Sequence, residues 1–451
     1  MGCAVSPSRE GQTSEYTFTV DGKPYAPYIK SLDGAPDQGK AGDVVWVRGF
    51  PLTLGPEKSY RFRTTSIMEG RLLLETDDGA THVISVSVGW RETETQGRVF
   101  VNPLAKLSDR EVSGLWGLSI NGWPDDAQEK LKHLDTERAL VAIRTEDGPL
   151  PSLPQSLRYL EINPDSGGSN KTDLSALGRM RDLRYLHLSV GSPVDFGILN
   201  QLKSLRYLYV IAKRVDQLGE LAKLSELRHV GLYPQDECFD EIRFASSLVQ
   251  LRRFSIGISQ VRDLSPLSGL RHLAFLEARW SPIVKLPDGE LPSLGILRIM
   301  GTAVSDRDAE EFAKRHPECK VLHRFARSVR ERARGADLLR VRGPNLGAHE
   351  PLPGKPLVEE RDPEQILAIL DRIEVDDRNT GSHFCYGGYW LSFYRNNVEL
   401  TSIRFDHGQC LHWNEWTHAG WLTRGSSEFL CRWLDQHGIK EPLLEFEKGR
   451  R

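Results

Sequence analysis

A six-residue core, L-x-x-L-x-L, recurs through the middle of the chain and limits its fold more than any other feature. It reads Leu115-Leu118-Ile120, Leu157-Leu160-Ile162, Leu183-Leu186-Leu188, Leu205-Leu208-Val210 and Leu227-Val230-Leu232. It continues as Leu251-Phe254-Ile256, Leu273-Leu276-Ala278 and Leu294-Leu297-Ile299. A weaker copy runs through Val141 and Ile143, with Arg138 in the first leucine slot. From Leu157 on, successive starts lie 26, 22, 22, 24, 22 and 21 residues apart. The three apolar residues of one core face one way, and a single strand cannot bury them. Stacking the strands in parallel at ~4.8 Å builds a continuous interior. Units this short leave no room for long helices on the outer side, which predicts turns and short 3₁₀ pieces there.

The spacing resembles that of leucine-rich-repeat proteins over residues 104–323. The segment Gly301–Leu322 reads as a last turn, an amphipathic helix from Asp306 and a short strand, similar to the terminal cap of bacterial members. One departure is plain. The asparagine expected three residues beyond the last core position is replaced by Asp165, Gly191, Lys213, Gln235, Ser259, Ser281 and Thr302. Backbone groups at that corner must then be satisfied by Asp, Ser, Thr or water.

The flanks read differently. Residues 1–15 form a polar tail. Residues 16–103 hold six short stretches rich in β-branched and aromatic residues, separated by turn dipeptides such as Asp21-Gly22, which predicts an antiparallel sandwich or barrel. Residues 324–362 open with seven arginines between Arg324 and Arg342 and continue into a Pro/Gly-rich stretch, read as a charged helix and a linker or, alternatively, an anion-docking patch. Residues 363–451 predict a small α+β domain with a three-stranded sheet, similar to C-terminal modules of bacterial proteins. The expected fold class is therefore multidomain: an N-terminal all-β domain, a central α/β solenoid and a C-terminal α+β domain.

Within each core, the residues between the leucines point away from the interior. One column holds Tyr159, Tyr185, Tyr207, His229, Arg253, Phe275 and Ile296. Beside it run Glu161, His187, Tyr209, Gly231, Ser255, Glu277 and Arg298. Tyrosine and arginine combine large contact area with a polar handle. The partner-binding expectation rests on Tyr159, Glu161, Tyr185, His187, Tyr207, Tyr209, His229, Arg253, Phe275, Glu277 and Arg298 on the concave face; the competing reading is a column that stacks only on itself.

A second cluster lies near the C-terminus: His383, Cys385, His407, Cys410 and His412. Cys410 and His412 lie two apart on an expected strand and share a face, as do His383 and Cys385. Zinc accepts such ligands, but the spacing matches no established zinc signature. Buried structural residues, or a Cys385–Cys410 disulfide in an exported protein, are the alternatives. At the start, Met1-Gly2-Cys3-Ala4-Val5-Ser6 fits the N-myristoylation pattern, with Cys3 open to palmitoylation; Gly2-Cys3 also reads as the end of a bacterial lipoprotein signal.

Charge adds one exclusion. Against 62 acidic residues stand 59 basic ones, a net charge of −3, so nothing in the whole-chain balance favours nucleic acid. No phosphate-loop, dinucleotide, nucleophile-elbow or zincin motif occurs, and no catalytic residue or cofactor is assigned. The expected function is non-enzymatic protein–protein interaction. The alternative is a metal-dependent hydrolase or metal-binding module in the C-terminal domain, targeted by the repeats. The expected location is cytoplasmic or, through an N-terminal lipid, membrane-anchored.

Overall fold

The computed structural model describes residues 17–25, 27–30, 41–55, 57, 59–66, 69–93, 97–124, 127–145, 148–164, 172–236, 239–344, 354–376, 388–413 and 419–448. Two compact units emerge. One holds residues 17–297 and Thr302–Lys320; the other holds Arg298–Gly301 and the chain from Val321 onward.

In the first unit the leucine triplets form a parallel ladder. Tyr159–Pro164 pairs with Tyr185–Ser189, which pairs with Tyr207–Ala212, then His229–Pro234, Arg253–Gly257 and Phe275–Arg279. Leu160, Leu186, Leu208, Val230, Phe254 and Leu276 stack in one fully buried row. Each such side chain contributes roughly 1.5–3 kcal/mol through burial. The returns between rungs are 3₁₀ turns, among them Ser175–Arg179, Leu218–Lys223 and Arg243–Ser247, each with a buried leucine or alanine. A helix, Asp306–Arg315, follows the last rungs, with Ser305 accepting from the Asp308 amide. This is a leucine-rich-repeat solenoid.

The corner without asparagine is closed by serine on two neighbouring rungs. Ser259 Oγ and Ser281 Oγ lie 2.8 Å apart, and the Ser259 amide donates to Ser281 Oγ at 3.2 Å. Both are buried. The residues just before them, Ile258 and Trp280, take left-handed backbone angles (φ 52° and 48°), which are uncommon away from glycine.

The N-terminal strands do not close on themselves as a separate sandwich or barrel. Ser59–Thr64, Arg71–Glu75 and Thr81–Thr93 form an antiparallel meander. Thr81–Thr93 then pairs in parallel with Gly117–Asn121, Val86 opposite Leu118 and Val88 opposite Ile120. The sheet thus passes residue 103 without a break, because Val86 and Val88 supply the same buried row as the repeats. A second, three-stranded antiparallel sheet (Tyr28–Lys30, Val44–Val47, Phe50–Thr53) packs over it. Phe18, Val45, Leu52, Tyr60, Phe62 and Trp116 form their shared core.

Among the described residues, the second unit holds a six-stranded antiparallel sheet and four helices: Phe325–Arg332, Pro363–Arg372, Arg424–Gln436 and Glu441–Lys448. Three of its strands, Tyr389–Arg395, Val398–Asp406 and Cys410–Trp413, lie where the sequence suggests. The arginine-rich segment supplies the expected helix and also a strand, while residues 345–353 of the expected linker lie outside the described residues. Phe325 and Val329 are buried, and Leu338–Arg342 is a strand paired with Tyr389–Arg395. Three of its arginines are engaged: Arg327 with Glu331, Arg340 with Glu359, and Arg330 with the Ile373 carbonyl. Among the described residues no helix is long and apolar enough to cross a membrane.

Candidate functional site

The tyrosine column is filled by the chain itself. Tyr159, Tyr185 and Tyr207 form one apolar cluster with Val44 and Leu140, and Trp46 and Tyr209 pack at its margin. Tyr185 is 0 % exposed. The rings stack along the ladder, Tyr185 to Tyr207 at 4.5 Å and Tyr207 to His229 at 4.2 Å between centroids. The strand Phe50–Thr53 crosses the first rungs. The Thr53 amide donates to the Trp116 carbonyl at 3.2 Å, Ser85 Oγ donates to the Pro51 carbonyl at 2.9 Å, and Thr53 Oγ1 donates to the Arg138 carbonyl. Gly117 is required here, since a Cβ would collide with the Pro51 carbonyl oxygen.

One charged side chain fixes this cover. Lys30 Nζ donates to the Tyr185 hydroxyl at 3.0 Å and to His187 Nδ1 at 2.6 Å. It lies 4.6 Å from the Trp46 ring centre and 3.9 Å from Glu161. Asn163 Nδ2 donates to the other Glu161 oxygen at 2.7 Å. Burial pulls Lys30 down to about 8, against the opposing attraction of Glu161. Burial, with Lys30 close by, also holds His187 well below its usual range. His229 is depressed by burial and then by Arg253 and Lys30.

Further along the wall, Tyr209 lies against Gly231, and Tyr233 against Gly257. The Tyr233 hydroxyl donates to Glu277 at 2.9 Å, and Arg279 lies 3.4 Å from the same carboxylate. Burial opposes the Arg279 charge, but Glu277 and the neighbouring tyrosines hold it above its usual range. Arg253 stays partly exposed and covers the Phe275 ring at 4.0 Å. Arg298 is buried and belongs to the second unit.

The expectation of an open concave strip is therefore corrected for Tyr159, Glu161, Tyr185, His187 and Tyr207. Their partner in this structure is the N-terminal sheet. A tyrosine column reads the same in sequence whether solvent, a partner or the same chain covers it.

The C-terminal cluster is partly assembled. Asp406, Cys410 and His412 place one donor atom each within 4.8 Å of one another. His412 Nε2 is 3.1 Å from Asp406 Oδ2 and 3.9 Å from Cys410 Sγ. The Arg404 guanidinium spans both Asp406 oxygens at 2.9–3.1 Å. Burial resists the Asp406 charge, yet His412 and Arg404 keep its carboxyl below the usual range. His407 is not in the group; its Nδ1 meets Glu445 at 3.1 Å. Cys410 is buried, and the alternative Cys385–Cys410 disulfide involves a residue outside the described ones. His383, Cys385, Gly2 and Cys3 lie outside the described residues. The same His412 nitrogen faces both the thiol and the carboxylate, which is not the arrangement of a Cys–His–Asp triad, where the two ring nitrogens divide those roles.

A surface that sequence reasoning missed runs along the strand entries. The residue after the first core leucine is Arg158, Arg184, Arg206, Arg228 and Arg252 on five successive rungs. Their backbones are laddered, each arginine amide from Arg184 on donating to the preceding arginine carbonyl at 2.8–2.9 Å. All five side chains are partly exposed. Arg158 pairs with Glu137 at 2.6 Å. Arg184, Arg206 and Arg252 have no carboxylate partner among the described residues. The recurring Leu-Arg pair before each strand was the available signal.

No family model and no curated protein matches the chain. Solved structures do. An internalin (inlF) of Listeria monocytogenes matches at 17% identity and TM-score 0.37, over 47% of this chain and 62% of that one. A leucine-rich-repeat protein of Leptospira interrogans matches at 18% and 0.36, over 47% and 55%. Internalin C2 of Listeria monocytogenes matches at 22% and 0.28, over 38% and 74%.

Proposed function

Because the central region is a leucine-rich-repeat solenoid, we propose that this chain is a non-enzymatic interaction protein that offers the outside of a rigid platform to a protein partner. The observation that carries this reading is register. From Tyr159 to Arg279 the rungs pair in parallel and in step, so residues at one repeat position recur at fixed spacing. A preorganised surface of this kind binds with little ordering cost. The footprint we assign lies on the strand-entry rim and the partly exposed Arg253, not on the tyrosine column that the N-terminal sheet already occupies. The test is isolation of a one-to-one complex from the source cells, followed by cross-linking and mass spectrometry. Cross-links concentrated between residues 158 and 253 are expected. Cross-links confined to the C-terminal unit would overturn the reading.

A second reading is favoured by Asp406, Cys410 and His412, whose donor types and separations suit a soft divalent ion. Against it, Arg404 already balances the one carboxylate. One zinc per chain, lost in Cys410→Ser, would establish a metal-binding module there; a purified protein that takes up no zinc would remove it.

A further inference from the structure

Resting on the interaction reading above, we propose that the arginine ladder at the strand entries is the docking surface for an extended acidic segment of a protein partner. The argument begins with cost. Like charges placed directly across neighbouring strands destabilise a sheet. Here five occupy successive rungs at ~4.8 Å spacing; Arg158 is answered by Glu137, and Arg228 is also engaged. Arg184, Arg206 and Arg252 have no such partner among the described residues. Several charges elsewhere on the same unit are paired, as in Arg61–Asp77, Arg63–Glu75 and Arg307–Glu311. A locally unfavourable arrangement, repeated in register, marks a surface whose compensation comes from a ligand.

The chemistry narrows that ligand. The guanidinium is a planar fork of donors suited to carboxylates and phosphates. Binding of single-stranded nucleic acid relies on aromatic faces beside the charges. The rings adjoining this ladder, Tyr159, Tyr185 and Tyr207, are buried under the N-terminal sheet and offer none. Carboxylates on a polypeptide remain. Four rung intervals span ~19 Å, which about six residues of extended chain cover. Asp182 and Glu226 sit two positions before Arg184 and Arg228, whereas Ser204 and Gln250 precede Arg206 and Arg252. The strongest attraction for acidic side chains is therefore at Arg206 and Arg252.

The full chain is titrated into fluorescein-labelled octaglutamate and, separately, oligothymidylate of eight nucleotides at low ionic strength. The variants are Arg184→Gln/Arg206→Gln/Arg252→Gln and a control, Arg61→Gln/Arg63→Gln/Arg307→Gln. Octaglutamate binding that weakens roughly 30-fold in the ladder variant and less than about twofold in the control is expected. The ladder variant should melt no lower than the parent, since it loses only repulsion. Equal weakening by both variants, tighter binding of oligothymidylate than of octaglutamate, or a lower melting temperature with unchanged binding would each overturn the proposal. A partner complex that survives the ladder substitutions removes this inference and leaves the interaction reading standing. Octaglutamate bound through the ladder, in a chain that captures no protein, does the opposite.

Discussion

Lys30 reaches across 155 positions of sequence to donate its ammonium to the Tyr185 hydroxyl, 3.0 Å away. That bond joins the small N-terminal sheet to the middle of the solenoid wall, and it makes the pH dependence of folding informative.

Lys30 is held at about 8 in the folded chain, below its usual 10.5. Between these values the unfolded chain binds more protons than the folded one, so stability rises as pH rises from about 8 to 10.5. The full shift corresponds to at most roughly 3 kcal/mol. Lys30→Met should lose this rise. Urea denaturation at pH 7.5, 9 and 10.5 checks it; parallel slopes for parent and variant would refute it.

His187 and His229 are both held below 6.5. Their contribution is complete above pH 6.5 and is lost as pH falls through the folded values, because the unfolded chain protonates first. Stability should therefore fall below pH 6.5, and His187→Gln/His229→Gln should flatten that limb. Denaturant midpoints between pH 7.5 and 5 measure it.

Gly117→Ala places a methyl group against the Pro51 carbonyl. The strand Phe50–Thr53 must move or the rung must bend, at about 1–3 kcal/mol. If the strand moves, Tyr185 and Tyr207 gain solvent. Hydrogen exchange should then quicken at Thr53, whose amide donates to Trp116, and tyrosine near-ultraviolet circular dichroism should weaken.

Asp406→Asn leaves the Arg404 guanidinium, only 6 % exposed, facing a neutral amide. Breaking a buried pair from one side typically costs about 3–5 kcal/mol. The loss should appear as a lower melting temperature of the C-terminal unit. Arg404→Met/Asp406→Leu, which removes both charges, should recover much of it.

How far the sequence could be read follows from what periodicity encodes. The leucine triplets imply parallel rungs because each needs a neighbour with the same buried row, and no other stacking provides one. The strand containing Val86 and Val88 has the same alternation, but alternation does not name a pairing partner, so its union with Gly117–Asn121 was invisible. Leu338–Arg342 was hidden by its arginines, which sit beside the buried Leu338, Leu339 and Val341. Cys410 and His412 were brought together by strand spacing. Asp406 was missed because it joins them only through the tight turn at His407 and Gly408, both with positive φ.

The uninterrupted sheet from Thr81–Thr93 into Gly117–Asn121 has a practical meaning for truncation. A chain begun at residue 104 would bare the Gly117–Asn121 edge, with unsatisfied amides and carbonyls inviting intermolecular strand addition. It would also strip Lys30 and Trp46 from the tyrosines, leaving a sticky aromatic trough. Aggregation of such a fragment would report a missing lid, not a failed fold.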